Sequence, residues 1–483
     1  MTRRLILALV VAVAAAALVA GYVFLTRESD APLRAQHPVW GECEDVRGVQ
    51  CATVKVPLDH ARPGGATVDL VLGRLLAWDP ERRAGSLVVH FGGPGGSGVE
   101  ALAGRSKLFD KLRTRYDIVA FDQRGFGRST PFSCQGQGVP VPLADVDHTP
   151  DDDRERASLA AAHAEYAALC GRSSGGLLPH MGTVSTAHDL DVLRSVLGEE
   201  RLDYLGLSYG GAIGEAYLRL HSGRVGRMVL DAPVFNHTAW LEPSLIREEV
   251  ADLHAGLKAF AEDCALDEDC PVGRDPRKGL RTIERLLTRM EREPLDAAGQ
   301  ALTDGVAAAG LAAHLYDGDW EPLREALRNT LRGDGRPLRQ AVRDSYADAE
   351  ADARTATACA DNSGRAAIEE LVRTEPGNVD ESPVFGRWYT WTMLACHGWP
   401  KQPDPPWLYE PAGPAAPVMV VGATGDRLSS RTARYLGVHL PGARLVTVPG
   451  EEHTVYRGGN ACADAAVEGY LLGGKLPTTA TTC

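Results

Sequence analysis

Residues 202–221 read LDYLGLSYGGAIGEAYLRLH, and their order of residue types predicts a strand, a sharp turn and a helix. Leu202–Leu207 is a short apolar run that stops at Ser208, and Gly210–His221 has the composition of the helix that follows. The pentapeptide Gly206-Leu207-Ser208-Tyr209-Gly210 decides little by itself, because the chain holds 52 glycines. Its setting decides more. A serine at the tip of a strand-to-helix turn has its hydroxyl exposed, and the turn is strained. Only small flanking residues let the backbone take that shape and let strand and helix come close. Ser208 is therefore the candidate nucleophile, with Gly206 and Gly210 as the residues that permit the turn.

The stretches TVDLVLGRLLAW, GSLVVHFGG, YDIVAFDQRG, VGRMVLDAPV, APVMVVGATGD and ARLVTVPGEEH each read as a further strand ending in Gly, Asp or a turn. Several are apolar at consecutive positions, as expected for strands buried on both faces of a parallel sheet covered by helices. The fold class is α/β with a mostly parallel central sheet. Between residues 236 and 405 helical patterns take over, as in PSLIREEVADLHAGLKAFAEDC and LRTIERLLTRMEREPL. The expected division is a first core part at 41–235, a large helical cap insertion at 236–405 over the carboxyl edge of the sheet, and a second core part at 406–483. There is no internal repeat.

The formal net charge of −13 opposes attraction to phosphate backbones and argues against nucleic acid as a partner. At the N-terminus, Arg3 and Arg4 precede an uncharged apolar run from Leu5 to Leu25, the pattern of an export segment. Residues 1–26 then form a cleaved signal peptide, with Val19-Ala20-Gly21 as a cleavage site, or an anchor that crosses the membrane through residues 5–25. Residues 27–40 read as a polar linker. The ten cysteines are Cys43, Cys51, Cys134, Cys170, Cys264, Cys270, Cys359, Cys396, Cys462 and Cys483. An even number in an exported chain favours disulfides, though sequence alone leaves the connectivity open. Spacing typical of metal ligands is absent, so no metal is expected.

A serine hydroxyl needs a histidine base that a carboxylate orients. In the α/β-hydrolase pattern, which the turn at Ser208 resembles, the chain order is Ser, then Asp or Glu, then His, with the last two after late strands. Among 14 histidines this selects His453, after RLVTV, with Asp426, after VMVVGATG, as its partner. The oxyanion needs aimed backbone N–H groups. One is expected from Tyr209 and the other from the loop in VVHFGGPGGSG, where Gly93 is favoured, Gly92 is second and Pro94 has no N–H to offer.

GGPGGSG, AFDQRGFGRST, TAHDLDVLRSVLGEERLDYLGLSYGG and RVGRMVLDAP closely resemble the secreted bacterial tripeptidyl aminopeptidases of the prolyl-iminopeptidase group of α/β-hydrolases. The resemblance spans residues 40–483, through CHGWP at Cys396 to a C-terminal Gly-x-x-Pro stretch that ends here at Cys483. It implies the same triad of Ser208, Asp426 and His453, and a pairing of neighbouring cysteines. The implied activity is release of short peptides or single residues from free N-termini, with a peptide or small amide as substrate and no cofactor. The alternative on the same machinery is deacylation of an N-acylated small molecule or antibiotic, or ester cleavage. The chain departs from the family at Glu452 before the histidine and Arg427 after the aspartate, which bears on substrate preference. Phe91 precedes Gly92 where related loops carry histidine, so His90 is expected to be structural, and Asp122 and Arg124 to organise loops. Carboxylates such as Glu242, Glu248 and Glu249 could hold a substrate ammonium, with none singled out. Oligomeric state is not legible.

Overall fold

The computed structural model describes residues 30–134, 143, 146–174, 176–234, 243–315, 320–347, 349–362, 364–400, 417–426 and 428–483. The N-terminal apolar run at 5–25, with its signal or anchor reading, lies outside them, as do Arg427 and Glu242. Among the described residues, no helix is long and apolar enough to cross a membrane.

The strands in chain order are β1 (Gly41–Glu42), β2 (Gln50–Pro57), β3 (Thr67–Leu75), β4 (Gly85–His90), β5 (Tyr116–Phe121), β6 (Leu202–Leu207) and β7 (Val225–Asp231). Then come β8 (Leu295–Asp296), β9 (Ala301–Leu302), β10 (Val418–Ala423), β11 (Ala443–Val448) and β12 (Thr481–Thr482). Ten of these make one sheet in the order β1-β2-β3-β5-β4-β6-β7-β10-β11-β12. β1, β2 and β3 run antiparallel to their neighbours, and the sheet is parallel from β5 to β12. Burial follows sequence: β4, β5 and β10, apolar at consecutive positions, are buried throughout, whereas β2 alternates between buried and exposed.

The described residues fall into two compact units, one drawn from 30–131, 183–234 and 417–483, the other from 132–182 and 243–400. The first contains the large sheet. Leu87 and Val89, Ile118 and Ala120, Leu205 and Leu207, Met419 and Val421, and Val446 and Val448 share one core with Val99, Phe109, Val467 and Leu471. These are alternate positions along five strands, so they line one face of the sheet.

The second unit is mostly helical. Its core joins Leu257 and Phe260 of the helix Pro243–Cys264 to Ile283 and Met290 of the helix Pro276–Arg292, and to Leu327, Leu338 and Trp391. The division drawn from sequence at 236 omits a part of it, because residues 132–182 also belong to this unit. The reason is a tie between residues far apart in the chain. The buried carboxylate of Asp352 accepts the Cys134 N–H at 2.7 Å and the Tyr166 hydroxyl, which ties the 132–182 segment to the helix Ala349–Asp361.

Most of the expected linker, from residue 30 onward, is likewise part of the fold. Residues Ala31–Arg34 form a helical turn, and the Arg34 guanidinium meets the buried Asp191 carboxylate at 2.7 Å. Gln36 exchanges two hydrogen bonds with the backbone of Lys55, at 2.7 and 2.8 Å. All ten cysteines are paired, as Cys43–Cys51, Cys134–Cys170, Cys264–Cys270, Cys359–Cys396 and Cys462–Cys483.

Candidate active site

β6 ends at Leu207 and the helix Tyr209–Leu220 begins at once, with Ser208 between them at φ 53° and ψ −118°. A positive φ at a residue with a side chain costs about 1–3 kcal/mol and persists only where the surroundings impose it. Here the Ser208 N–H is held by the Asp231 carbonyl at 2.8 Å, and its carbonyl accepts the Gly211 N–H at 2.8 Å. The glycines on either side are required by close approach. A Cβ on Gly206 would stand 2.3 Å from the Gly210 oxygen, and one on Gly210 would stand 2.7 Å from the His90 oxygen.

The structure brings the three sequence-selected side chains together. His453 Nε2 lies 2.8 Å from Ser208 Oγ, and His453 Nδ1 lies 3.0 Å from Asp426 Oδ2. With Nδ1 as the donor to the carboxylate, Nε2 is left as the acceptor for the serine proton. Asp426 is almost fully buried at 2% exposure. Burial pushes its carboxyl up, but the bonds from His453, Ser429 Oγ and the Leu428 N–H outweigh this and hold it below the usual range. Sheet order explains the effort needed to build the relay. Ser208 follows β6 and His453 follows β11, three strand spacings away, or about 14 Å at about 4.8 Å each. The segment after β11 must reach back across β10 and β7.

The glycine loop after β4 lies against Ser208. Gly92 and Gly93 have φ of 99° and 107°, values that suit glycine alone. A Cβ on Gly92 would be 2.9 Å from Ser208 Cβ and 3.5 Å from Ser208 Oγ. The Gly92 N–H is taken by His90 Nδ1 at 3.2 Å, which favours Gly93 as the loop donor. Tyr209 opens its helix, so its backbone N–H points off the helix body on the N-terminal side. His90 is buried, and burial lowers its pKa to about 4, so it is a neutral acceptor.

Asp122 fixes the far end of this loop by accepting from Ser97 Oγ at 2.8 Å, the Val99 N–H at 3.0 Å and the Arg128 N–H at 2.8 Å. Arg124, fully buried, grips Asp189 through two bonds of 2.7 and 2.6 Å and donates to the Leu58 and Pro57 carbonyls. Glu452 is exposed. Glu248 and Glu249 have exposed side chains on the helix Pro243–Cys264, in the helical unit. Two further residues escaped the sequence reading. Ser429 is buried and donates to Asp426, and Asp231 binds backbone on two sides of the site. A serine three positions after the acid was the only sequence signal for the first; the second needed the sheet order.

Comparison with known proteins agrees with this fold. A protein-family profile described as alpha/beta hydrolase fold matches residues 85–457. Serine protease Hip1 of Mycobacterium tuberculosis is 30% identical over 481 residues, covering 94% of this chain and 90% of that protein. Tripeptidyl aminopeptidase of Streptomyces lividans is 29% identical over 452 residues, covering 90% of this chain and 83% of the other. Carboxylesterase B of Mycobacterium tuberculosis is 31% identical over 491 residues, covering 94% and 91%. With the match running from β4 through the Ser208 turn to the segment that bears His453, the chain belongs to the alpha/beta hydrolase fold family.

Proposed function

We propose that this serine hydrolase is an exported aminopeptidase that releases short peptides or single residues from free N-termini. The observation that carries the chemistry is the relay of 2.8 and 3.0 Å from Ser208 through His453 to Asp426, on a serine held at positive φ. Ser208 Oγ attacks the scissile carbonyl while His453 Nε2 takes its proton, and the N–H groups of Tyr209 and Gly93 hold the tetrahedral oxyanion. His453 then returns the proton to the leaving amine. The acyl group stays on Ser208 until water, activated by the same imidazole, releases it. Asp426 keeps the imidazole in the required tautomer throughout.

The choice of peptide substrate rests on the names of the relatives, a serine protease and a tripeptidyl aminopeptidase. Export is supported by five disulfides, which persist in oxidising compartments, and by the basic flank and apolar run at residues 3–25. The protein is then secreted or held on the outer face of the membrane.

One panel of substrates tests the reading. An exopeptidase pairs the substrate ammonium with carboxylate, and removing one partner of a buried pair costs about 3–5 kcal/mol. Tripeptide nitroanilides with a free amine should be cleaved with kcat/KM about a hundredfold or more above their N-acetyl forms, and Ser208→Ala should abolish both activities. Faster cleavage of acetylated amides would replace the aminopeptidase with a deacylase. The likeness to a carboxylesterase favours a second reading, and a preference for short acyl esters over every peptide would establish it.

A further inference from the structure

β7 ends at Asp231, a fully buried carboxylate that none of the steps above uses. Its backbone oxygen accepts the Ser208 N–H at 2.8 Å. Its side chain accepts the Val455 N–H at 3.1 and 3.2 Å, one oxygen each, and the Tyr456 N–H at 2.8 Å. In the sheet it pairs with Leu207, the residue before the nucleophile, and with Val421 of β10, the strand that leads to Asp426. A single residue thus joins all three segments that carry the relay. Val455 and Tyr456 lie just past His453, where the chain has already reached back across β10 and β7.

The charge is the unexpected part. Among the described residues no arginine or lysine forms an ion pair with this carboxylate, and the charged groups that act on it most strongly are His453 and Asp426. Burying a carboxylate without a cation is unfavourable. Two backbone donors could be partly satisfied by a neutral asparagine, which would avoid that burden. Burial does push Asp231 up, to about 6, against the bonds from Tyr456 and Val455. A negative charge kept beside His453 has a use in the reaction, because the imidazole becomes cationic when it takes the Ser208 proton.

We propose that Asp231 is a positioning residue that locks the 453–456 segment in register with the Ser208 turn and, through its charge, favours the imidazolium form of His453. The inference rests on Ser208, His453 and Asp426 acting as a triad. Asp231→Asn in the full-length protein tests it, assayed on the best free-amine nitroanilide from pH 4 to 8, with near-UV circular dichroism to verify the fold. The amide accepts one N–H but turns its own donors toward the other. We expect kcat to fall about 10- to 100-fold with KM within about threefold. The acid limb of kcat/KM should move to lower pH, because losing a neighbouring anion makes the imidazolium more acidic. Wild-type kcat, or a loss of kcat with an unmoved acid limb, overturns the proposal. Should Asp231→Asn fail to fold, the wild-type acid limb decides. It should fall with a slope of about 1 from a midpoint above about 6.5, the ordinary imidazole value, because a neighbouring anion favours the imidazolium, and a midpoint at or below that value overturns the proposal. Ser208→Ala serves as the control. If that variant retains turnover, the triad reading fails and takes this inference with it; if it is inactive while Asp231→Asn is unaffected, only the inference fails.

Discussion

Gly92→Ala puts a single carbon where the structure leaves no room for one. The added Cβ would stand 2.9 Å from the Leu207 oxygen and 2.9 Å from Ser208 Cβ. Ordinary contact begins near 3.4 Å, so a movement of about half an ångström is required. Neither neighbour is the free end of a flexible side chain, since one is backbone in β6 and the other is the nucleophile itself. The backbone adds to the difficulty, because φ of 99° strains any residue with a side chain by about 1–3 kcal/mol. Relief comes from displacing the glycine loop or the serine, and either opens the oxyanion site. Misplacement on this scale lowers the rate of well-oriented reactions by about 10²-fold. We therefore predict a kcat about 10²-fold lower, KM within about threefold of wild type, and a melting temperature lower by a few degrees. Steady-state kinetics on a free-amine tripeptide nitroanilide and a calorimetric scan would measure these. A variant with unchanged kcat and melting temperature would show that the loop does not bear on the nucleophile.

Other predictions follow from single contacts. Asp426→Asn should lower kcat by about 10³- to 10⁴-fold with little change in KM, because the amide no longer enforces the tautomer in which Nε2 accepts; a loss under tenfold would contradict the relay. Ser429→Ala removes a donor from a buried anion, a bond worth about 1.5–3 kcal/mol, and should lower kcat about tenfold, as steady-state kinetics will read. Thiol counting on denatured, unreduced protein should find almost none of the ten cysteines free, and several free thiols would contradict the five pairs. Acid should destabilise the fold through His163, whose pKa burial lowers to about 3. Below its ordinary value of about 6.5 the unfolded chain takes a proton that the folded state refuses, so stability is lost as pH falls from about 6.5, by about 2 kcal/mol at pH 5. His163→Gln should reduce the loss of stability between pH 7 and 5 by about 2 kcal/mol without removing it, because burial lowers His90, His188 and His221 in the same sense, whereas Asp231, pushed up to about 6, acts in the opposite sense.

What could be read from the sequence, and what could not, divides along one physical line. Ser208 and the two glycines around it were legible because a strand, a strained turn and a helix are consecutive in the chain, so local composition carries the whole signal. Asp426 and His453 were legible because each follows an apolar strand by a few residues, and because catalysis demands those residue types. β2 was missed, since its buried positions alternate with exposed ones and its apolar content is diluted. The segment 132–182 was placed with the wrong unit because its tie to the helical part is Asp352, more than 200 residues from Cys134 in the chain. Asp231 belongs to the same class. In sequence it is merely the last residue of VGRMVLD. Its importance arises because the sheet inserts β10 beside β7 and β11 beyond that, so that the segment bearing His453 must double back over the end of β7 to meet Ser208. A strand end between nucleophile and base is the one place from which a short side chain can reach the returning loop while its own carbonyl holds the turn. Carbonyl and carboxylate of one residue then act at two sites separated by more than 200 positions of sequence. A pairwise reading of strands finds the triad, but the support that keeps it aligned is visible only when the order of the strands is known.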